Sequence, residues 1–295
     1  MMPLISVLMP LFNATDTLPL ALASLQAQTY ENWECIIVDD GSTDHPEAVV
    51  QSLDDARIQF HRLDRNRGRG YARQHALDLA RGIYLTFLDG DDWIYPTKFR
   101  EQMDVLTAQP DIAIVSTGMA VSSQDDGLVG IRHSDARTSA INTTFRRPSM
   151  PPLAFAPSMM AADLARNTGF DTSFPISEDV DFLLRALLGK RCAVLAAPLY
   201  VYREPGSATL NKVSRSLNYC CRMFMKQFDQ YPLDCTLEIA KTLGKQAVYH
   251  AAAALGLWEQ MIARRSRPPS AAERQQYQDA WKTVVRIARG TALAV

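Results

Sequence analysis

The sequence predicts an α/β fold, a mostly parallel sheet flanked by helices, with a C-terminal helical extension. Two observations predict it. Short apolar, β-rich runs alternate with helical patterns over about 90 residues, which indicates βαβ units with helices on both sheet faces. Three of these runs end in polar residues: Asn13; Asp39 and Asp40; and Asp89, Asp91 and Asp92. In such sheets ligands sit beyond the carboxyl ends of the strands.

Ile5–Leu11 is an apolar run stopped by Asn13 and suits a buried parallel strand. Leu18, Leu22 and Leu25 follow at helical spacing, with Thr15 or Asp16 placed as the N-cap. Cys35–Asp40 is a second buried strand, running into a turn where Ser42 or Asp44 could cap the next helix. Ile58–Leu63 reads as a third strand, residues 70–81 as a helix closed by Gly82, and Ile83–Leu88 as a fourth strand. Ile112–Ser116 is a candidate fifth strand, 122–135 a polar loop and 147–157 a proline-rich stretch. A helix or turn is expected at 159–167, a helix over Ser177–Leu188 capped by Ser177, and a strand near Cys192–Ala196. Residues 214–263 and 271–290 read as helices separated by Arg264–Ser270.

The 295 residues suffice for one large domain or two modest ones. With 31 Lys and Arg against 32 Asp and Glu, there is no electrostatic case for a nucleic-acid partner. Five cysteines (Cys35, Cys192, Cys220, Cys221, Cys235) without CxxC spacing argue against a disulfide framework and a zinc site. Reduced thiols in a cytoplasmic protein are expected. The apolar N-terminal run lacks a basic leader, and no 18-residue apolar stretch occurs, so a soluble or peripheral protein is expected.

The segment TFLDGDDW gathers Asp89, Asp91 and Asp92 at a strand end. Crowded carboxylates repel unless a cation offsets them, and Mg²⁺ or Mn²⁺ held by one or two carboxylates plus substrate phosphates would do so. An Asp-Gly turn with solvated acids accounts for the segment equally well. Glu178 and Asp179 open a helix, where the dipole favours acids in any case. Residues 62–73 are locally basic and match neither the dinucleotide fingerprint nor the phosphate loop, with Arg73 the arginine most worth backing.

Taken in order, VLMPLFN, IIVDDGSTD, the GxxxAR of residues 68–73, FLDGDDW, SEDVDFLLRAL and PLYVYREPGSAT resemble the motif series of family 2 glycosyltransferases over residues 4–210. The resemblance implies the GT-A fold, a Rossmann-like sheet, and a nucleotide-diphospho-sugar donor, with UDP the expected nucleotide. It also implies a divalent metal and inversion at the anomeric carbon. By that resemblance Pro10, Phe12, Asn13, Asp39 and Asp40 would contact the nucleotide, Asp40 through its base. Asp91 would ligate the metal, Asp89 would lie near the ribose, and Asp179 would be the catalytic base. Arg73, Glu178 and Arg203 would help hold substrate, and Arg185 is a further basic position. Gln74 stands where the family often has Asn, and Thr172 where Glu is common.

The implied organisation is a catalytic domain over 1–210, with a nucleotide half (1–110) and an acceptor half (111–210), then a helical region over 211–295. The acceptor would be a saccharide or lipid-linked saccharide. Two other readings remain: a nucleotidyltransferase and a non-catalytic nucleotide-sugar binding module. Trp281, Val284, Val285 and Ala288 form one helical face beside Lys282, Arg286 and Arg289. That face would pack on the catalytic domain or a second subunit, or touch the inner face of a membrane peripherally.

Overall fold

The computed structural model describes residues 2–123, 125–132, 140–203 and 209–292. The first half comprises β1 (Ile5–Leu11), α1 (Leu18–Gln26), β2 (Trp33–Asp39), α2 (Glu47–Gln51), β3 (Ile58–Arg62), α3 (Arg69–Leu79) and β4 (Tyr84–Phe87). There follow β5 (Trp93–Ile94), α4 (Lys98–Ala108), β6 (Ile112–Ser122), β7 (Leu128–Arg132), β8 (Ala140–Thr144) and β9 (Met159–Ala161). Next come α5 (Ala162–Thr168), α6 (Glu178–Leu187) and β10 (Arg191–Arg203). The helices α7 (Leu210–Met225), α8 (Pro232–Ala254), α9 (Trp258–Ala263) and α10 (Ala271–Ala292) complete the described chain.

The strands form one sheet in the order β3-β2-β1-β4-β9-β6-β10-β5, with β7 added to β6 and β8 to β10. β3, β2, β1 and β4 are parallel throughout. Alternation along the buried strands divides the core. Leu8, Ile36, Val38, Leu85 and Phe87 pack with Ala72 and Ala76 of α3 and Phe182 of α6. Val7, Met9, Cys35 and Ile37 pack on the other face with Leu22 and Leu25 of α1 and Phe99 of α4. Both faces are therefore covered, as parallel strands require.

Pro10 sits in this central strand without breaking it. Leu8 O accepts from Leu88 on the β4 side and Leu11 O accepts from Asp40 on the β2 side. By alternation Pro10 turns its nitrogen toward β4, where pairing has already ended at Leu8–Phe87.

Several elements differ from expectation. The α1 N-cap is Thr17, whose hydroxyl donates to Ala14 O at 3.1 Å and Gly90 O at 2.8 Å. Thr15 instead ties to the next loop, its N–H donating to Asp44 Oδ2 at 2.9 Å. α2 starts after Pro46, so neither Ser42 nor Asp44 caps it. α3 ends at Leu79 and Gly82 lies beyond it, where a Cβ would come within 2.6 Å of Ser6 N. Ser177 precedes α6 in the left-handed region (φ 63°), and its hydroxyl meets Ser216 Oγ at 2.8 Å instead of capping.

The stretch expected as a polar loop forms β7, because Ile131 is buried and its backbone exchanges hydrogen bonds with Arg267. Residues 124 and 133–135 of that stretch, 136–139 after it, and 204–208 at the end of the last motif lie outside the described residues. Met159 and Met160 form a short strand wedged between β4 and β6, both fully buried. The proposed C-terminal face packs inward. Tyr277, Ala280 and Val284 are buried and the Trp281 ring lies tilted 5.6 Å from that of Trp93, so α10 covers α1 and β5. No helix among the described residues is long and apolar enough to cross a membrane.

Candidate active site

The carboxyl ends of β1, β2 and β4 are laced together by their own loops. Asn13 adopts φ 49°, and its N–H donates to Ser42 Oγ at 2.9 Å while its Oδ1 accepts from Thr43 N at 2.9 Å. Asp39 is fully buried; its Oδ1 accepts from Ser42 N at 3.0 Å, and Arg62 Nε lies 3.7 Å from Oδ2. Asp40 accepts from Arg67 N at 2.6 Å and Gly68 N at 2.8 Å, clamping the turn that starts α3. Burial outweighs these two N–H groups and raises its pKa. A ligand N–H approaching Asp40 must use the lone pairs left over. Phe12 is 48% exposed beside this cluster, whereas Pro10 is buried in the sheet and offers a ligand no surface.

The turn held by Asp40 leads straight into α3 and its arginines. Arg73 is buried on α3. Its Nη2 donates to Asp89 at 2.9 Å and its Nη1 to Glu178 at 2.6 Å, with the guanidinium 4.7 Å from the Phe155 ring centre. α3 runs close to α6 here, since a Cβ at Gly70 would sit in ordinary contact with Glu178 Cγ at 3.5 Å. Burial pushes Asp89 up, but the charges of Arg73 and Arg69 hold it below its usual value. Burial raises Glu178 in spite of Arg73, and Asp179 adds to the rise. Asp179, half-buried, turns its Oδ1 to the Val180 N–H at 2.9 Å.

The three acids of the β4 end have different jobs. Asp92 is buried and structural: Tyr200 Oη donates to it at 2.7 Å and Arg203 N at 2.9 Å. Burial, then Asp91 and Asp89, push its pKa well above the ordinary value. Asp89 is paired as described above. Asp91 is the exposed member; desolvation and then the charge of Asp89 raise it, offset by its own N–H and by Arg69 and Arg203.

Arg69 was not singled out from the sequence and is central in the structure. Its pKa is raised first by Asp89, then also by Glu178, Asp179 and Asp91. The available signal was spacing: Arg69 and Arg73 are i and i+4, hence on one face of α3. Arg69 thus puts Asp91 and Asp179 in one electrostatic neighbourhood, and Arg67–Gly68 joins it to Asp40. Arg203 lies farther out, its guanidinium donating to Asp126 at 2.5 Å. Arg185 is structural, donating to Asp181 at 2.7 Å and to the Gly169 carbonyl at 2.9 Å.

A family model described as glycosyl transferase family 2 matches residues 6–161, just over half of the chain. The chain belongs to glycosyl transferase family 2. Its domain is 37% identical over 125 residues to a putative teichuronic acid biosynthesis glycosyltransferase of Bacillus subtilis, covering 42% of this chain and 49% of that one. It is 35% identical over 108 residues to an Escherichia coli UDP-Glc:alpha-D-GlcNAc-diphosphoundecaprenol beta-1,3-glucosyltransferase, covering 37% and 43%. The chain thus spans about half the length of the curated relatives it matches.

Among solved structures it resembles S. aureus TarS in complex with UDP, with a TM-score of 0.66 at 18% identity, covering 96% of this chain and 80% of that one. It also resembles a mannosyltransferase from Pyrobaculum calidifontis bound to GDP-Man and Mn²⁺, with a TM-score of 0.60 at 18% identity, covering 99% and 87%. At such identities the likeness is one of fold, and the fold is GT-A. The family match ends before Glu178 and Asp179, which enter the site through Arg73.

Proposed function

We propose that this family 2 domain is an inverting glycosyltransferase. It moves a sugar from a nucleotide-diphospho-sugar to an acceptor hydroxyl in the assembly of a bacterial polysaccharide or related glycoconjugate. One observation carries this reading: Arg73 ties Asp89 at the β4 end to Glu178, the neighbour of Asp179, and Arg69 feels the charge of Asp89, Asp91, Glu178 and Asp179 together. Two relatives are named for such pathways, and one of those names states UDP-Glc and a diphosphoundecaprenol-linked acceptor. TarS was solved with UDP. UDP is therefore the favoured nucleotide, and a lipid-linked saccharide the favoured acceptor.

In this scheme residues 1–110 hold the nucleotide, 111–210 form the acceptor side, and 211–295 are a helical extension. Asn13, Phe12 and the Asp39–Asp40 turn line the nucleotide end. Arg73 and Glu178 brace Asp89, Arg203 backs the rim, and Asp179 takes the proton of the acceptor hydroxyl. Base assistance of that kind contributes roughly 10²–10⁴-fold. With the base on the face opposite the departing diphosphate, direct displacement inverts the anomeric carbon.

The donor set suits Mg²⁺ or Mn²⁺. Asp91 is exposed, crowded by Asp89 and paired with no cation at salt-bridge distance among the described residues. No group of three His, Cys, Asp or Glu among those residues is gathered to hold a metal, which fits an ion that takes its remaining ligands from phosphates and water. Asp91, with Asp89 behind it, would hold the ion, which when bound neutralises charge on the leaving diphosphate.

Asp179→Asn tests the assignment. Donor binding measured calorimetrically should persist while sugar transfer falls at least 100-fold; unchanged transfer removes Asp179 from the mechanism.

A further inference from the structure

Helix α8 buries one side against the chain, and its other side carries an apolar strip that the described residues leave uncovered. Cys235, Tyr249 and Ala252 are buried on the side that packs against α7. On the far side Leu233 is 84% exposed, Leu237 55%, Val248 55% and Leu255 73%. Exposed Ala240, Gly244 and Ala251 complete the same strip. An exposed apolar strip of this length calls for a covering surface.

The strip is symmetric about Gly244. Successive members are spaced 4, 3, 4, 4, 3 and 4 residues apart, so reversing the helix direction leaves the positions unchanged. In an antiparallel pair centred on Gly244, Leu237 meets Ala251 and Val248 meets Ala240, large against small, and Leu233 meets Leu255 at each end. Gly244 meets itself, where a glycine allows close helix approach. Nothing among the described residues explains that glycine: an added Cβ would meet no atom of theirs within 4 Å, and glycine in a helix interior is unfavourable.

We infer that α8 is a two-fold interface with a second copy of this chain, crossing at Gly244. The alternation of size favours this occupant over a lipid surface. A second helix fills the narrow waist made by Ala240, Gly244 and Ala251, whereas a membrane gains little there. The contact is isologous, each copy using the same patch.

A helix pair of this length lies at the small end of specific interfaces. Sedimentation equilibrium of the full chain should therefore show a dimer at about 100 μM that dissociates on dilution. Leu237→Ala and Ala251→Leu should each weaken it at least tenfold, while the double variant restores it to within a few-fold. Gly244→Leu should be monomeric with undiminished helical circular dichroism. A monomeric wild type at that concentration overturns the proposal, as does a double variant as weak as the singles or a Gly244→Leu dimer as tight as wild type. Flotation of monomeric protein with phosphatidylcholine–phosphatidylglycerol vesicles, unaffected by the size swap, would assign the strip to lipid and overturn it too.

Discussion

Arg73 Nη1 lies 2.6 Å from Glu178 Oε1, joining α3 to the first turn of α6 across 105 residues of chain. Both side chains are nearly sealed, at 1% and 3% exposure. A buried pair of this kind gains little over an apolar pair, but removing one partner strands the other. Arg73→Met leaves Glu178 and Asp89 without their shared cation, and should cost about 3–5 kcal/mol. Glu178→Gln should cost less, because a neutral amide still accepts from Arg73. Urea unfolding of both variants checks the order; an Arg73→Met variant within about 1 kcal/mol of wild type would contradict it.

Lys98 offers a pH signature far from the acids. It is fully buried on α4, its Nζ donating to Thr86 Oγ1 and Gln102 Oε1 at 2.8 Å each. Desolvation lowers its pKa to about 7. Between that value and the ordinary lysine range the unfolded chain binds the extra proton, so stability rises with pH across this window. Below about pH 7 both states are protonated and the slope vanishes. Lys98→Met should remove a slope approaching about 1.4 kcal/mol per pH unit. Equal slopes for both proteins between pH 7.5 and 9.5 would show that Lys98 is not the group responsible.

Arg69 faces four carboxylates without a hydrogen-bonded partner among them. In the free protein it offsets their repulsion; in the proposed donor complex it would contact phosphate oxygens. Charge-assisted hydrogen bonds contribute about 1.5–3 kcal/mol, so Arg69→Gln should weaken UDP binding roughly 10- to 100-fold. Titration calorimetry with and without Mn²⁺ reads this directly. An unchanged affinity in both conditions would leave Arg69 a balancing charge only.

What the sequence disclosed follows from locality. Ile5–Leu11 and Cys35–Asp39 are strands buried on both faces, so an unbroken apolar run announces each. β9 is three residues long and owes its existence to β4 and β6 on either side, partners distant in sequence. β7 likewise depends on pairing with β6 and on Arg267. Within the site, Asp89, Asp91 and Glu178–Asp179 were visible as acids at element ends. Asp40's partners are backbone N–H groups, which no side-chain pattern reveals. Trp281, Val284 and Ala288 of α10 are legible as apolar from spacing; that Trp93 and α1 cover them takes the tertiary structure.

The crowding in FLDGDDW resolves into three separable roles, and substitution should separate them. Asp92 is sealed under Tyr200 and Arg203. Burial already disfavours its charge, and Asp92→Asn puts a neutral amide of the same shape in its place. Nucleotide affinity and its metal dependence should survive, with a loss of stability of about 1–3 kcal/mol from the imperfect fit to two donors. Asp91→Asn removes the exposed charge instead. Its stability should hold or improve, since a repelled carboxylate is lost, while the gain in UDP affinity on adding Mn²⁺ should largely disappear. Chelation should reproduce the Asp91→Asn phenotype in wild type and leave that variant unchanged. If Asp92→Asn abolished metal-dependent binding while Asp91→Asn retained it, the roles would be reversed and the ion would have to sit deeper, against β10.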